Sequence, residues 1–249
     1  MRIIEDTVFK LRPVQAANLP DGEKREVAKG SSFEGVKVLD QRAGHVQIEL
    51  PDGGGTWWVF GPHTEGLNLG VQLKVPYQSQ RDNYRDASRT CFSSSCAMAL
   101  MFLRPGVIGS DDDYIEQVFR FGDSTDASAQ IRALEYFGLK AEFRENGSVE
   151  GLQELLQSGV PVPCGILHHG SPSAPSGGGH WICVIGYGDD ALAPGGGRFI
   201  VHDPWGEIDH TSGTYPSSNG EARRYSYGLM RSRWTVEGPG SGWYMRIRR

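Results

Sequence analysis

Four side chains along the sequence have the types and the order that nucleophilic attack on an amide requires. Gln80 comes first, and Cys91 follows at the start of a run rich in Ala, Met, Leu and Phe. His180 follows three glycines, and Asp203 stands before Pro-Trp. At a helix N-terminus, unpaired N–H groups and the helix dipole stabilise a thiolate. Histidine then transfers the proton, aspartate orients the imidazole, and glutamine donates a hydrogen bond to the oxyanion.

Two of these positions have rivals nearby. Cys96 lies five residues after Cys91, which puts it roughly 140° around a helix and more than one turn along it. Because Cys96 falls in an apolar stretch, we assign the nucleophile to Cys91. Gln78 precedes Gln80 in the same polar segment and is an alternative oxyanion donor.

The first part of the chain is predicted to be rich in strands. Short runs of β-branched and aromatic residues alternate there with turn-forming segments. The predicted strands cover residues 7–11, 35–39, 45–50 and 56–60. We interpret this part, residues 1–68, as a small β-barrel domain.

A second domain, residues 69–249, is predicted to be α+β, because its helical patterns precede its strand patterns. The apolar run 91–103 has no proline or interior glycine, and it predicts a buried helix that ends before Pro105-Gly106. Further helices are predicted at residues 111–121, 127–137 and 149–156, and strands at residues 160–167, 181–187, 198–202 and 242–247.

Composition argues against several other classes of protein. The net charge of −5 gives no basic footprint for nucleic acid. No stretch approaches the ~20 apolar residues of a membrane helix, and residues 1–10 lack a secretory signal, so we expect a cytoplasmic monomer. The four cysteines form no CxxC pair, and His168-His169 has no partner at the spacing of a zinc site. We therefore expect no disulfide scaffold, no metal and no cofactor.

Four stretches of the sequence resemble the papain-like peptidases related to the bacteriocin (double-glycine leader) processing peptidases. They are VPYQSQRDN, TCFSSSCAMAL, GGGHWICVIGYG and VHDPWG. The resemblance implies that Cys91 is the nucleophile, His180 the base and Asp203 the orienting residue. It favours Gln80 over Gln78, although Gln80 lies eleven residues before Cys91, which is farther than is common in that family. The first seventy residues are similar to bacterial SH3-like modules.

The resemblance implies a cysteine peptidase or amidase that acts through a thioester. An SH3-like module beside such a domain implies a peptidoglycan substrate, as in a phage endolysin. The alternatives are a peptide-processing protease, an acyl transferase, and a catalytically silent peptide-binding module. We expect the aromatic residues Tyr77, Trp181, Trp205 and Trp243 to line the cleft, with core packing as the alternative. The loop 170–179 is predicted to be a flap over the substrate or else an exposed connector.

Overall fold

The computed structural model describes residues 1–42, 44–67, 70–189 and 193–249. The chain divides into two compact units, Met1–Leu69 and Gly70–Arg249. The boundary expected between residues 68 and 69 lies outside the described residues. No helix in the described ranges is long and apolar enough to cross a membrane.

The first unit is built from antiparallel strands. Five of them form one sheet in the order β3-β2-β6-β5-β4, and β1 pairs with β7. The strands are β1 (Arg2–Ile3), β2 (Thr7–Lys10), β3 (Lys24–Val27), β4 (Lys37–Arg42), β5 (His45–Glu49), β6 (Thr56–Phe60) and β7 (Thr64–Glu65). Within the described residues β3 and β4 stay the edges of the sheet, so the closed SH3-like barrel expected from the sequence is not seen there.

One strand of this sheet escaped prediction for a physical reason. The sequence of β3, Lys-Arg-Glu-Val, is charged at three of its four positions, and only Val27 is buried. Charged residues are common on edge strands because they discourage pairing with other chains. The hydrophobic core of this unit consists of buried side chains that include Phe9, Ile48 and Val59.

The second unit combines helices with an antiparallel sheet, which confirms the α+β prediction. Its helices are α1 (Cys91–Leu103), α2 (Asp111–Phe119), α3 (Ala127–Tyr136), α4 (Val149–Gln157) and α5 (Tyr227–Trp234). Its strands are β8 (Gly70–Gln72), β9 (Lys140–Gly147), β10 (Val162–Ile166), β11 (His180–Asp189), β12 (Gly197–His202), β13 (Arg223–Ser226) and β14 (Gly242–Arg248). The sheet has the order β13-β12-β11-β10-β14-β9, and β8 also pairs with β11.

The helix α1 has the bounds that the sequence predicted. It is buried along most of its length and packs between the sheet and α2 and α3, where Cys96, Met98 and Leu100 are fully buried. Because protein interiors are closely packed, a helix buried in this way is held rigidly, and so is its first residue.

Strand register brings the second half of the site together. In the antiparallel pairing of β11 with β12, Cys183 lies opposite His202, the last residue of β12. The next residue, Asp203, therefore leaves the sheet close to the beginning of β11, where His180 stands. The sequence did not predict the edge strands β9 and β13 or the weakly amphipathic helix α5.

Candidate active site

Cys91 occupies the first position of α1. Its Sγ donates a hydrogen bond to the backbone oxygen of Gly179 at 3.3 Å, and the residue is buried apart from one face. The first N–H groups of a helix have no partner within the helix, so the backbone N–H of Cys91 belongs to a set of free donors. Thr90 precedes it as the N-cap residue, and its side chain accepts no capping hydrogen bond from the helix.

His180 begins β11 and faces both Asp203 and Cys91. Its Nε2 lies 2.7 Å from Oδ1 of Asp203, and both side chains are buried. Cys91 lies close enough to His180 to add to the interactions that raise its pKa. Because Nε2 is hydrogen-bonded to Asp203, Nδ1 is the ring nitrogen that can exchange a proton with Cys91.

The residues that follow the nucleophile and the base lock the two elements together. Phe92 follows Cys91 and Trp181 follows His180, and their rings stack with centroids 3.5 Å apart and planes 6° from parallel. Both rings are buried, so the first turn of α1 and the start of β11 share one packed contact.

Asp203 is fully buried and its two carboxylate oxygens have separate partners. Oδ1 accepts hydrogen bonds from His180 and from the backbone N–H of Trp205, the latter at 3.0 Å. Oδ2 accepts from the hydroxyl of Tyr225 at 2.9 Å and from that of Tyr215 at 3.5 Å. A buried carboxylate requires such compensation, because desolvation of an unpaired charge is costly.

The electrostatics of this array favour a protonated imidazole. Burial opposes the charge on His180, but the charge and the hydrogen bond of Asp203, with Cys91 adding to them, outweigh burial and raise the pKa of His180 to about 10. An imidazolium next to a cysteine sulfur is the arrangement from which thiolate attack proceeds.

Gln80 lies at the start of a short 3-10 turn and is buried against the same cavity as Cys91. Its Nε2 donates to the backbone oxygen of Ala87 at 2.8 Å, and its Oε1 has no partner. Its backbone N–H donates to the carbonyl of Pro204 at 3.0 Å, which ties this turn to the segment after Asp203. The second hydrogen of Nε2 remains for a ligand.

Gln78 is engaged elsewhere. Its Oε1 accepts the backbone N–H of Asp111 at 3.0 Å, and its Nε2 donates to the backbone of Tyr77. It is absent from the described lining of the cavity that contains Cys91. Its hydrogen bond to the first residue of α2 is that of a helix cap.

A cavity of about 670 Å³ opens over these groups. Aromatic rings form much of its wall, and Gly178 and Gly179 form part of its edge. The aromatic residues are Phe92, Phe143, Trp181, Trp205, Tyr215 and Trp243. Of the four aromatic residues expected in the cleft, the structure places Trp181, Trp205 and Trp243 there.

Tyr77 lies outside the described lining and instead braces the polypeptide behind Asp203. Its hydroxyl donates to the backbone oxygen of Asp203 at 3.2 Å and accepts the N–H of Gly220 at 3.3 Å. Its ring packs on His202, with centroids 5.3 Å apart.

The remaining cysteines are core residues. All four cysteines are free thiols, and Cys96, Cys164 and Cys183 are fully buried. Burial raises the pKa of Cys96 well above its ordinary value. Cys96 is therefore packed in the interior, whereas Cys91 borders the cavity.

His168 and His169 also border the cavity. The His168 ring lies 5.3 Å from that of His180, and burial, with smaller effects of His180 and His169, lowers the pKa of His168 to about 4. The described residues contain no group of three or more His, Cys, Asp or Glu side chains arranged to hold a metal.

The loop 170–179 is tied down at its base. His169 and Ser176 exchange backbone hydrogen bonds of 2.9 Å. Arg233 of α5 donates to the carbonyls of His169 and Gly170. The end of the loop, Gly178 and Gly179, borders the cavity, whereas its tip does not.

Tyr215 and Tyr225 are the site residues that sequence reasoning missed. Tyr215 lies in an irregular segment and Tyr225 in the edge strand β13. Neither stands in a pattern that differs from an ordinary surface or core tyrosine. Their role follows from where the chain returns to Asp203.

Comparison with known proteins identifies the family of the chain. The profile of the Peptidase_C39 like family matches residues 72–232, which is more than half of the chain. The chain therefore belongs to the Peptidase_C39 like family, a family of cysteine peptidases. No protein of curated function matches the sequence.

Three solved structures are similar to the chain at low identity. A double glycine motif protease from an AMS/PCAT transporter, in complex with the leader peptide, is 14% identical with a TM-score of 0.41, over 72% of this chain and 94% of that chain. A C39-like peptidase from Bacillus anthracis is 16% identical with a TM-score of 0.42, over 72% and 98%. UfSP from C. elegans is 15% identical with a TM-score of 0.44, over 73% and 34%.

Proposed function

We propose that this protein is a cysteine peptidase that hydrolyses a peptide bond through a thioester on Cys91. In this proposal His180 transfers protons and Gln80 donates a hydrogen bond to the oxyanion. Asp203 orients the imidazole ring and stabilises its protonated form. The observation that carries the proposal is the contact of 2.7 Å between Asp203 Oδ1 and His180 Nε2, together with the position of Cys91 at the start of α1 on the same cavity as His180. Membership of a cysteine peptidase family supports it.

The first half of the reaction forms the thioester. With its proton already on Nδ1 of His180, the Cys91 thiolate attacks the carbonyl carbon of the substrate. The electrons of the C=O bond move to oxygen. The resulting oxyanion accepts hydrogen bonds from Nε2 of Gln80 and from the backbone N–H of Cys91. The C–N bond then breaks while His180 protonates the departing amine.

The second half regenerates the enzyme. His180, now neutral, removes a proton from a water molecule as the water attacks the thioester carbon. The C–S bond breaks, the acid product leaves, and the thiolate is restored beside the imidazolium. Throughout both halves Asp203 keeps Nδ1 aimed at the sulfur by holding Nε2.

The substrate beyond the peptide bond is a further expectation. A peptidoglycan substrate is implied by the resemblance of the first unit to SH3-like modules, and the sheet of that unit is open in the described residues. We therefore base the proposal on a peptide bond, and purified peptidoglycan enters the assay as one substrate among several.

Two measurements on the same set of variants test the proposal. Wild type, Cys91→Ser, His180→Ala and Cys96→Ala are treated with iodoacetamide, and the alkylated cysteine is identified by mass spectrometry. The same proteins are incubated with a library of internally quenched fluorogenic peptides and with purified peptidoglycan. We expect rapid alkylation of Cys91 and peptide hydrolysis in wild type and in Cys96→Ala, and loss of both in Cys91→Ser and His180→Ala.

Two results would overturn the proposal. Alkylation of Cys96 in place of Cys91 would show that Cys91 is not the nucleophile. Reactivity of Cys91 without hydrolysis of any peptide would favour a binding module of the same fold. An added amine such as hydroxylamine separates hydrolysis from acyl transfer, because an acyl transferase gives the hydroxamate as its main product.

A further inference from the structure

Asn83 joins the turn that carries Gln80 to the helix that carries Cys91. It ends the short 3-10 turn, and its backbone N–H donates to the carbonyl of Gln80 at 3.3 Å. Its side-chain amide lies 2.9 Å from the hydroxyl of Thr90, the N-cap residue of α1, and 3.1 Å from the hydroxyl of Ser94. One buried amide therefore contacts both the turn of the proposed oxyanion donor and the helix of the proposed nucleophile.

The other end of the Asn83 amide faces the carboxyl group of Asp111, the first residue of α2. With its nitrogen on that side, the amide donates to the two carboxylate oxygens at 3.1 and 3.3 Å. Ser94 of α1 also donates to Asp111, whose side chain is buried. Because a buried carboxylate without such donors is costly, these bonds favour one arrangement of the turn, α1 and α2.

The proton of Asp111 decides which way the amide is turned. Ionised Asp111 accepts the N–H groups of Asn83, and the amide oxygen then accepts the hydroxyl of Thr90 at 2.9 Å. Protonated Asp111 donates instead to the amide oxygen, and the amide nitrogen then donates to Thr90 and Ser94. The two protonation states therefore correspond to opposite orientations of the same amide.

The two orientations differ in their effect on the carbonyl of Ala87. Nε2 of Gln80 donates to this carbonyl at 2.8 Å, and the hydroxyl of Thr90 lies 3.4 Å from it. When Thr90 donates to Asn83, the carbonyl accepts from Gln80 without competition from Thr90. When Asn83 donates to Thr90, the hydroxyl turns to the carbonyl and shares it with Gln80. Ionised Asp111 therefore holds the side chain of Gln80 more firmly.

We propose that Asp111 and Asn83 are positioning residues of the catalytic site. Ionised Asp111 fixes the amide of Asn83, and this amide acts through Thr90 to hold the start of α1 and the side chain of Gln80 in place for the reaction. Neither Asp111 nor Asn83 belongs to the described lining of the catalytic cavity, so both act through other residues. The inference rests on the proposed peptidase function and adds residues that support it.

The charge of Asp111 changes in a pH range where activity can be measured. Burial raises the pKa of this carboxyl to about 6, the hydrogen bond from Ser94 opposes the rise, and the charges of Asp112 and Asp82 add to it. Asp112 belongs to α2 and Asp82 to the 3-10 turn, whereas α1 contributes the hydroxyl of Ser94. We therefore expect kcat of wild type to fall as pH decreases through about 6, because protonated Asp111 no longer accepts from Asn83.

Exchange of the carboxyl and the amide tests the pair. Asp111→Asn leaves two amides and Asn83→Asp places two carboxylates in contact, so each variant should lose about tenfold in kcat at pH 8 with little change in KM. The double variant Asn83→Asp/Asp111→Asn again has one carboxylate and one amide, and its kcat should return to within about threefold of wild type. Asp112→Asn is the matched control, since it removes the same charge from the next residue of α2 and should keep the kcat of wild type.

Two further measurements separate positioning from stability. In profiles of kcat between pH 5 and 8, the fall near pH 6 should occur in wild type and in Asp112→Asn and be absent from Asp111→Asn. Thr90→Ser keeps the hydroxyl and Thr90→Val replaces it with a methyl group, so only the valine variant should lose about tenfold in kcat. Urea unfolding at pH 8 establishes that each variant compared is folded.

The outcomes separate this inference from the proposed function. Failure of wild type to cleave any peptide contradicts the peptidase itself. With wild type active, any of three results contradicts the positioning role alone: wild-type kcat in Asp111→Asn, no recovery in the double variant, or a fall near pH 6 that survives in Asp111→Asn. If Asp111→Asn does not fold, the two Thr90 variants decide, and equal kcat values for them would contradict the role.

Discussion

The ring of Phe92 stacks on the ring of Trp181 with centroids 3.5 Å apart. Phe92 directly follows the proposed nucleophile and Trp181 directly follows the proposed base, so one contact between two aromatic rings fixes the distance between α1 and β11 at the site. Stacked aromatic pairs contribute about 0.5–1.5 kcal/mol beyond the burial of their area. The stacking therefore acts on geometry as well as on stability.

Phe92→Leu should lower kcat strongly and the free energy of unfolding only modestly. Loss of the ring lets β11 shift relative to α1, and a displacement of about 1 Å in reacting groups costs on the order of a hundredfold in rate. The control is Phe102→Leu, the same substitution in α1 about 15 Å along the helix from Phe92 at ~1.5 Å per residue. Kinetics and urea denaturation on both variants check this. An equal fall in kcat for both would contradict the positioning role of the stack.

Tyr225→Phe should reduce kcat while Tyr114→Phe does not. Tyr225 donates to the buried oxygen Oδ2 of Asp203, and hydrogen bonds to charged groups contribute about 1.5–3 kcal/mol. Without it the carboxylate is less firmly held and orients His180 less well. Tyr114 is a buried tyrosine that donates to the carbonyl of Gln130, so it reports the cost of a lost hydrogen bond alone. The variants are compared by kcat and by the midpoint of urea unfolding, and equal kcat values would refute the assignment.

Substitution of the two glutamines should separate catalysis from helix capping. Gln80→Ala should lower kcat by about a hundred- to thousandfold, which is typical for loss of one oxyanion donor. Gln78→Ala should lower the free energy of unfolding by about 0.5–1.5 kcal/mol, because it loses the bond to the N–H of Asp111, and should leave kcat within about twofold. Steady-state kinetics and urea unfolding measure both effects. The reverse pattern would transfer the oxyanion role to Gln78.

The ion pair of His180 with Asp203 should make stability depend on alkaline pH. Burial opposes the charge on His180, and Asp203 outweighs burial and raises the pKa of His180 to about 10, above the ordinary value of about 6.5. Between about pH 6.5 and pH 10, His180 is therefore protonated in folded protein and deprotonated in unfolded protein. The stabilisation is complete below about pH 6.5 and is lost as pH rises through about 10.

Asp203→Asn tests this dependence directly. Without the carboxylate, burial is unopposed and the pKa of His180 falls, so the decline in the free energy of unfolding between pH 6.5 and 10 should disappear. Both proteins carry Cys91→Ala so that ionisation of that thiol does not contribute. Urea denaturation at pH 6, 8 and 10 gives the comparison. Parallel pH curves would show that His180 is not held as a cation.

The sequence alone determined the features that depend on neighbours along the chain. The helix at Cys91–Leu103 has the predicted bounds because a run without proline or interior glycine ends at Pro105-Gly106. The strand Thr56–Phe60 also has the predicted bounds, and the order of helices and strands gave the α+β class. Edge strands such as Lys24–Val27 and Lys140–Gly147 were missed, because a strand with one neighbour carries polar side chains and lacks a continuous apolar pattern.

Tertiary structure alone decided which side chains meet at the site. Gln78 and Gln80 are two residues apart, yet only Gln80 borders the cavity, since the turn of Gln80–Asp82 directs it there. Tyr215 and Tyr225 reach Asp203 from positions 12 and 22 residues away, and Tyr77 braces the backbone of Asp203 from 126 residues away. Such contacts depend on sheet register and on how the chain returns, whereas residue type and local periodicity define only individual elements.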